Sequence, residues 1–161
     1  VNETVSLSVE GEVQQELGLT FAALRAISAD GQIDDISQVD PRYQGRGVSL
    51  ASVLAMAGLK PSARYLTLHA SADDFHASIP LSEVIQRGYL LYCLDDEPLP
   101  LSKGGPVRFL VRDSANCQVD EIDECANVKF VDRLELSEQR GQDNRPSSEE
   151  DHEELHRRQG S

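Results

Sequence analysis

Tryptophan is absent from this chain and aromatic residues make up only 5% of it, so the core has to be built from Leu, Val, Ile and Ala. Cysteine is scarce too. Three in 161 residues is an odd number that leaves at least one thiol unpaired within a chain, and it falls short of the dense framework of a small disulfide-stapled domain. That leans toward a cytoplasmic location, while a chain beginning at Val1 rather than Met leaves open a removed N-terminal segment and a periplasmic one. No apolar run approaches the roughly 20 residues that span a bilayer; Leu50 to Leu59 is interrupted and much shorter. Basic residues are outnumbered 15 to 28 by acidic ones, for a formal charge of -13. This argues against a nucleic-acid partner, which needs clustered Lys and Arg to displace counterions from phosphates. A phosphate loop, a dinucleotide fingerprint and a nucleophile-elbow serine are all missing.

What is present fits one domain with enough length to bury a real core. Val5, Leu7 and Val9 alternate with Ser6, Ser8 and Glu10, the period of a half-buried strand ended by Gly11. Thr20 can cap a short helix carrying Phe21, Leu24 and Ile27, after which turn formers punctuate the chain as far as Gly47. Ser49 caps a second helix through Leu50, Val53, Leu54 and Ala57, stopped by Gly58. Tyr65 to His69 and Phe75 to Ile79 read as strands joined by the turn at Ser71 to Asp74. A short helix near Ser82 and strands at Tyr89 to Leu94, Val107 to Val111 and Val128 to Leu136 follow. Strands and helices mix without regular βαβ alternation, which favours an α+β mixed-sheet domain over residues 1–136. Residues 137–161 lose nearly all apolar character and read as an acidic polar tail, disordered or loosely helical from Ser148 to Asp151 onward.

Several stretches, in order, resemble the molybdopterin-binding domain of the sulfite oxidase type. Gly47-Val-Ser-Leu50 with the helix behind it is similar to that family's Gly-Val-Pro-Leu helix start, and Ser78-Ile-Pro-Leu81 to its Ser-x-Pro-Leu element. Asp96-Glu97-Pro98-Leu99-Pro100 resembles a Gly-Glu-Pro-Leu-Pro turn. Gly104-Gly-Pro-Val-Arg108 is the closest local match, and Ala126-Asn-Val-Lys-Phe130 with Arg133-Leu-Glu-Leu136 resembles the closing strand. The resemblance covers about residues 4–136 and implies molybdopterin as the cofactor. Carried over by position, it makes Arg108, Lys129, Lys103, Gly105 and Asn127 the candidate cofactor-binding residues. The chemistry is sensible: a guanidinium binds phosphate through paired hydrogen bonds, an ammonium adds a compact charge, and backbone donors near glycines complete an anion site. Arg46 and Arg64 are further sources of charge without a matching motif. Arg108 and Lys129 could equally be strand-end charges paired with the abundant acids.

The departures concern the metal. That family holds molybdenum through a cysteine lying before the Gly-Val-Pro-Leu-like element, and here no cysteine precedes Cys93. Ser28, Asp30, Asp34, Asp35, Ser37 and Asp40 occupy the region, and none is a soft thiolate. Between the two matching C-terminal segments, the acidic stretch Asp113 to Cys125 should repel a phosphate. Cys117 and Cys125 within it can be free thiols, a loop-closing disulfide or, least fitting, metal or redox groups; Cys93 reads as a small core residue. His69 and His76 flank the Asp73-Asp74 turn and can form a histidine–carboxylate pair or simply pack. Two functions follow. One is a non-catalytic or vestigial member, with no cofactor bound, that acts as a binding or interaction module toward a protein partner or redox subunit. The other is a molybdopterin-dependent oxidoreductase domain with atypical metal ligation. The missing thiolate favours the first.

Overall fold

The computed structural model of the protein describes residues 5–112 and 128–141. The period-two pattern at the start forms β1 (Val5–Gly11), with Leu7 and Val9 completely buried. β2 (Leu17–Thr20) pairs back on it, and Thr20 caps α1 (Phe21–Arg25) by accepting the Ala23 amide at 3.1 Å. This helix ends before Ile27, which packs beyond it in the core. The turn-rich stretch up to Gly47 hides two short strands, β3 (Gln32–Ile33) and β4 (Arg46–Ser49). Ser49 then caps α2 (Leu50–Ala57) through the Ser52 amide, as its sequence predicts. The remaining elements are β5 (Tyr65–Ala70), β6 (Phe75–Pro80), α3 (Leu81–Val84), β7 (Gly88–Leu94), β8 (Glu97–Pro98), β9 (Arg108–Val111) and β10 (Arg133–Ser137).

The strands form two sheets. The first has the order β2-β1-β10-β5-β6; the second runs β3-β4-β7-β8, with β9 also paired to β7. β1 and β10 are parallel and every other described pair is antiparallel, so the mixed-sheet α+β class expected from the sequence is the observed one. Alternation along the strands sorts side chains between two cores. Leu90 and Tyr92 of β7 and Phe109 and Val111 of β9 enter the main core, with α2 and the inner face of the first sheet. Tyr89, Leu91 and Leu110 point the other way, into a smaller cluster completed by Ile36, Val39 and Leu99. Cys93 is buried at the end of β7 and unpaired.

The sequence reads residues 128–136 as one strand, and here the structure differs. Val128 exchanges backbone hydrogen bonds with Phe109 of the second sheet, at 2.8 and 3.0 Å, and the Val131 amide donates to the Val107 carbonyl at 2.9 Å. The Asp132 amide then donates to His69 of the first sheet at 2.9 Å, and its carbonyl accepts from Ser8 at 3.0 Å. The chain thus crosses from one sheet to the other within a few residues. Phe130 makes the bend with a left-handed φ of 59°, which no continuous strand tolerates. Beyond β10, Arg140 donates to the Ser78 carbonyl at 3.0 Å and the Gly141 amide to the Ser78 hydroxyl at 2.9 Å, so the chain folds back over β6.

Leu134 of β10 is fully buried in the main core whereas Leu101 is 70% exposed. Leu134→Ala should therefore cost about 2–5 kcal/mol, from lost transfer energy and the cavity left behind, and Leu101→Ala less than about 0.5 kcal/mol. Urea denaturation midpoints of the two variants check this contrast.

Candidate functional site

Arg108 opens β9 opposite Leu91 of β7. Since Phe109 and Val111 are claimed by the main core, Arg108 and Leu110 fall on the face of the smaller cluster. The guanidinium lies 4.5 Å from the centroid of the Tyr43 ring, and Nη2 donates to the Tyr43 hydroxyl at 2.9 Å. Nη1 reaches the Lys103 carbonyl only at 3.5 Å. Nε is buried and has no hydrogen-bond partner among the described residues. A buried orphan donor on a charged group is costly, and such exceptions call for an explanation.

Tyr43 is held by a tight turn in which its amide donates to the Asp40 carbonyl at 3.0 Å. Asp40, with a side chain only 10% exposed, takes Arg42 in a two-pronged grip, Nε to Oδ1 at 3.0 Å and Nη2 to Oδ2 at 2.7 Å. The Arg42 hydrogen bonds, with the charges of Arg42 and Arg108 added, hold the Asp40 carboxyl below the ordinary aspartate range against the opposing effect of burial. Arg42 is thereby neutralised. Arg108 pairs with no carboxylate among the described residues.

Lys129 arrives from the crossover segment. A Cβ at Gly104, whose φ is 95°, would stand 2.8 Å from Arg108 Nη1 and 3.0 Å from the Lys129 Cβ, so the three residues meet at one point. Any side chain at Gly105 would collide with the Leu99 carbonyl oxygen. The Gly104 and Gly105 amides are spent on Leu101 and Pro100, each at 3.0 Å, so these glycines supply room rather than donors. Lys103 lines, with Pro41, Arg42, Tyr43, Leu99 and Arg108, a cavity of about 410 Å³. Asn127 lies outside the described residues, as do the Asp113 to Cys125 stretch and Ser148 to Asp151. Arg46 is ion-paired with Asp34 at 3.2 Å, and neither it nor Arg64 borders this cavity.

Several residues of the region where the family's thiolate would fall are engaged in local structure. Asp35 caps a short 3-10 turn; the Ser37 hydroxyl, at 2.5 Å, and amide, at 3.0 Å, hold its carboxyl below the ordinary range. Ser28 precedes the 3-10 turn Ala29–Gly31, and Asp40 grips Arg42. Cys93 does not border the cavity, and no cluster of His, Cys, Asp and Glu suited to a metal occurs among the described residues. The donor set suits an anion held by guanidinium and ammonium groups, and it lacks the soft ligand of a molybdenum centre.

Fold and cavity together define an α+β domain with a cationic recess at the margin of its second sheet. The model of the family described as the oxidoreductase molybdopterin binding domain matches residues 42–145, well over half the chain, and the chain belongs to that family. The fold is similar to the crystal structure of the sulfane dehydrogenase SoxCD from Paracoccus pantotrophus, with a TM-score of 0.63 at 21% identity. The match covers 86% of this chain and 39% of that one, so this chain spans well under half its length. No curated protein matches the chain. No helix among the described residues is long and apolar enough to cross a membrane.

The sequence reading missed Tyr43 and the Asp40–Arg42 pair, which build one wall of the recess. The available signal was an aromatic residue within a polar, turn-rich stretch of a chain that has few aromatics. Because Asp40 has a folded-state pKa below the ordinary 3.8, the stability it provides is present above that value and lost as pH falls through the folded one. Asp40→Asn should be less stable than the native protein at neutral pH, and the difference should close on acidification. Denaturant midpoints taken across the acid range measure it.

Proposed function

We propose that this domain is a non-catalytic, vestigial member of its family that serves as a binding or interaction module. In this reading it retains a cationic recess and has lost the means of holding molybdenum. Arg108 is the principal anion-binding group, with Lys103 adding charge in the lining, Lys129 adding it from beside Gly104, Gly105 allowing the close approach to the Leu99 backbone and Asn127 belonging to the same set. The observation that carries the reading is the buried, unpartnered Nε of Arg108 beside a recess without a soft donor. A guanidinium that lines the recess and pairs with no carboxylate among the described residues is suited to a phosphate or carboxylate oxygen, since charge-assisted hydrogen bonds are about twice as strong as neutral ones. Molybdopterin, when bound in this family, supplies a redox-active metal together with a phosphate. The residues here suit the phosphate and not the metal, so no redox step is assigned to this chain. As an interaction module the domain would act through a protein partner, a redox subunit being one such class. A net charge of -13 disfavours nucleic acid.

The test is to express the protein in a host that makes the cofactor and to measure its molybdenum content and the fluorescence of released oxidised pterin. The proposal expects both to be far below stoichiometric. Near-stoichiometric loading with both, abolished by Arg108→Ala and Lys129→Ala, would instead establish the oxidoreductase reading.

A further inference from the structure

The outer face of the first sheet, away from the main core, holds a second cluster of buried polar groups that the recess does not use. Leu66, Leu68 and Ala70 of β5 and Phe75, Ala77 and Ile79 of β6 fill the core, which sends His69 and His76 to the opposite face. The two histidines are register partners, and their rings meet edge-on with centroids 4.9 Å apart. Their Nδ1 atoms are 2.7 Å apart. His69 Nε2 lies 2.8 Å from Glu135 Oε1 of β10, and His76 Nε2 lies 3.0 Å from Asp74 Oδ1. Glu135, His69, His76 and Asp74 therefore form one continuous chain of polar contacts.

Counting protons gives the charge of that chain. An ionised carboxylate only accepts, and two bare Nδ1 lone pairs at this distance repel, so each of the three contacts needs one ring proton. Two neutral imidazoles bring two. Making all three contacts at once takes three protons, one imidazole and one imidazolium, with a proton bridging the Nδ1 atoms. We infer that the pair is a proton-operated latch on the Ser71–Asp74 turn. With three ring protons it ties β10, β5, β6 and the turn together; with two it must release one contact.

The contact released is that of Asp74. Its side chain is 90% exposed, so water replaces the lost bond at little cost, whereas the His69 side chain is 2% exposed and Glu135 is 43% exposed. Asp74 also holds a left-handed φ of 48°, a conformation that a released carboxylate no longer helps to fix. The charged groups around the pair come from every neighbouring element. Arg133 of β10 is the register partner of His69 and lies 3.6 Å from Glu10 of β1. Asp132 accepts the Ser71 amide at 3.1 Å, and Glu135 and Asp74 make the contacts already given. Arg140 donates to the Ser78 carbonyl of β6 and is a second guanidinium on this side, and the carboxylates still outnumber the two around the extra ring charge. A metal ion in place of the bridging proton fits poorly. Two bonds of about 2.0–2.1 Å at a tetrahedral angle set nitrogens roughly 3.3 Å apart, wider than the contact here.

Nitrogen NMR of the histidine rings in the full chain, followed through the histidine titration range, tests the latch. The expected result is an intermediate state with three of the four ring nitrogens protonated and one proton correlated with both Nδ1 atoms. Raising the pH should remove one ring proton and, with the same midpoint, shift the amides of Ser71 to Asp74 and speed their hydrogen exchange. Asp74→Asn, a change at an exposed side chain, should silence the turn's response while the rings still exchange that proton. Two rings titrating independently with silent turn amides would overturn the inference. So would one stoichiometric zinc ion on these nitrogens, detected by elemental analysis and removed by a chelator.

Discussion

The backbone crossing at residues 128–132 is the constraint on which the other features depend. One short segment hydrogen-bonds to Phe109 in the second sheet and to His69 in the first, and it can do both only because Phe130 turns the chain with a positive φ. Strand β10 then inserts between β1 and β5, parallel to one and antiparallel to the other. The same segment sets Lys129 against Gly104 and Arg108. It also brings Asp132 and Glu135 to the turn and the histidine pair on the outer face. Fold, recess and histidine chain therefore share one structural origin.

Within that frame, the recess presents a cationic wall. Arg108 is stacked on Tyr43 and bonded to its hydroxyl, and its Nε has no hydrogen-bond partner among the described residues, while Asp40 neutralises Arg42 next to it. Burying a guanidinium donor without a hydrogen-bond partner costs free energy, and Asp40, already gripping Arg42, reaches Arg108 only through the longer-range attraction of charges. In the region of the expected thiolate, Asp35 caps a 3-10 turn while Asp34 and Asp40 are ion-pair partners of Arg46 and Arg42. A cationic recess with no soft donor in its lining is the observation on which the proposed binding role rests.

Much of the fold was legible because its signals are periodic or local. The alternation around Leu7 and Val9, the Ser49 cap with Gly58 behind α2, and the paired strands around the Ser71–Asp74 turn are all written in a few residues. The family resemblance rested on the order of motifs rather than any one of them, and it made Arg108, Lys103, Gly105, Lys129 and Asn127 candidates, of which Asn127 lies outside the described residues. Other features were hidden for physical reasons. β3 has two residues and β4 four, too few to display a period. The bend at Phe130 is imposed by pairing with two different sheets, and nothing in an apolar run announces it. Tyr43 reaches Arg108 across 65 positions of sequence. The two histidines could be placed on adjacent strands, but their Nδ1 contact depends on register and rotamer, which sequence does not specify.

The central claim is that Arg108 is an anion-binding group kept in place by its setting. Isothermal titration of the purified domain with inorganic phosphate, beside Arg108→Gln and with thermal melts to confirm that both are folded, tests it most directly. The account predicts saturable binding by the native chain and a loss of roughly tenfold or more in the variant, the consequence of removing charge-assisted hydrogen bonds worth about 1.5–3 kcal/mol. Equal binding by both proteins, or no binding by the native one, would contradict it.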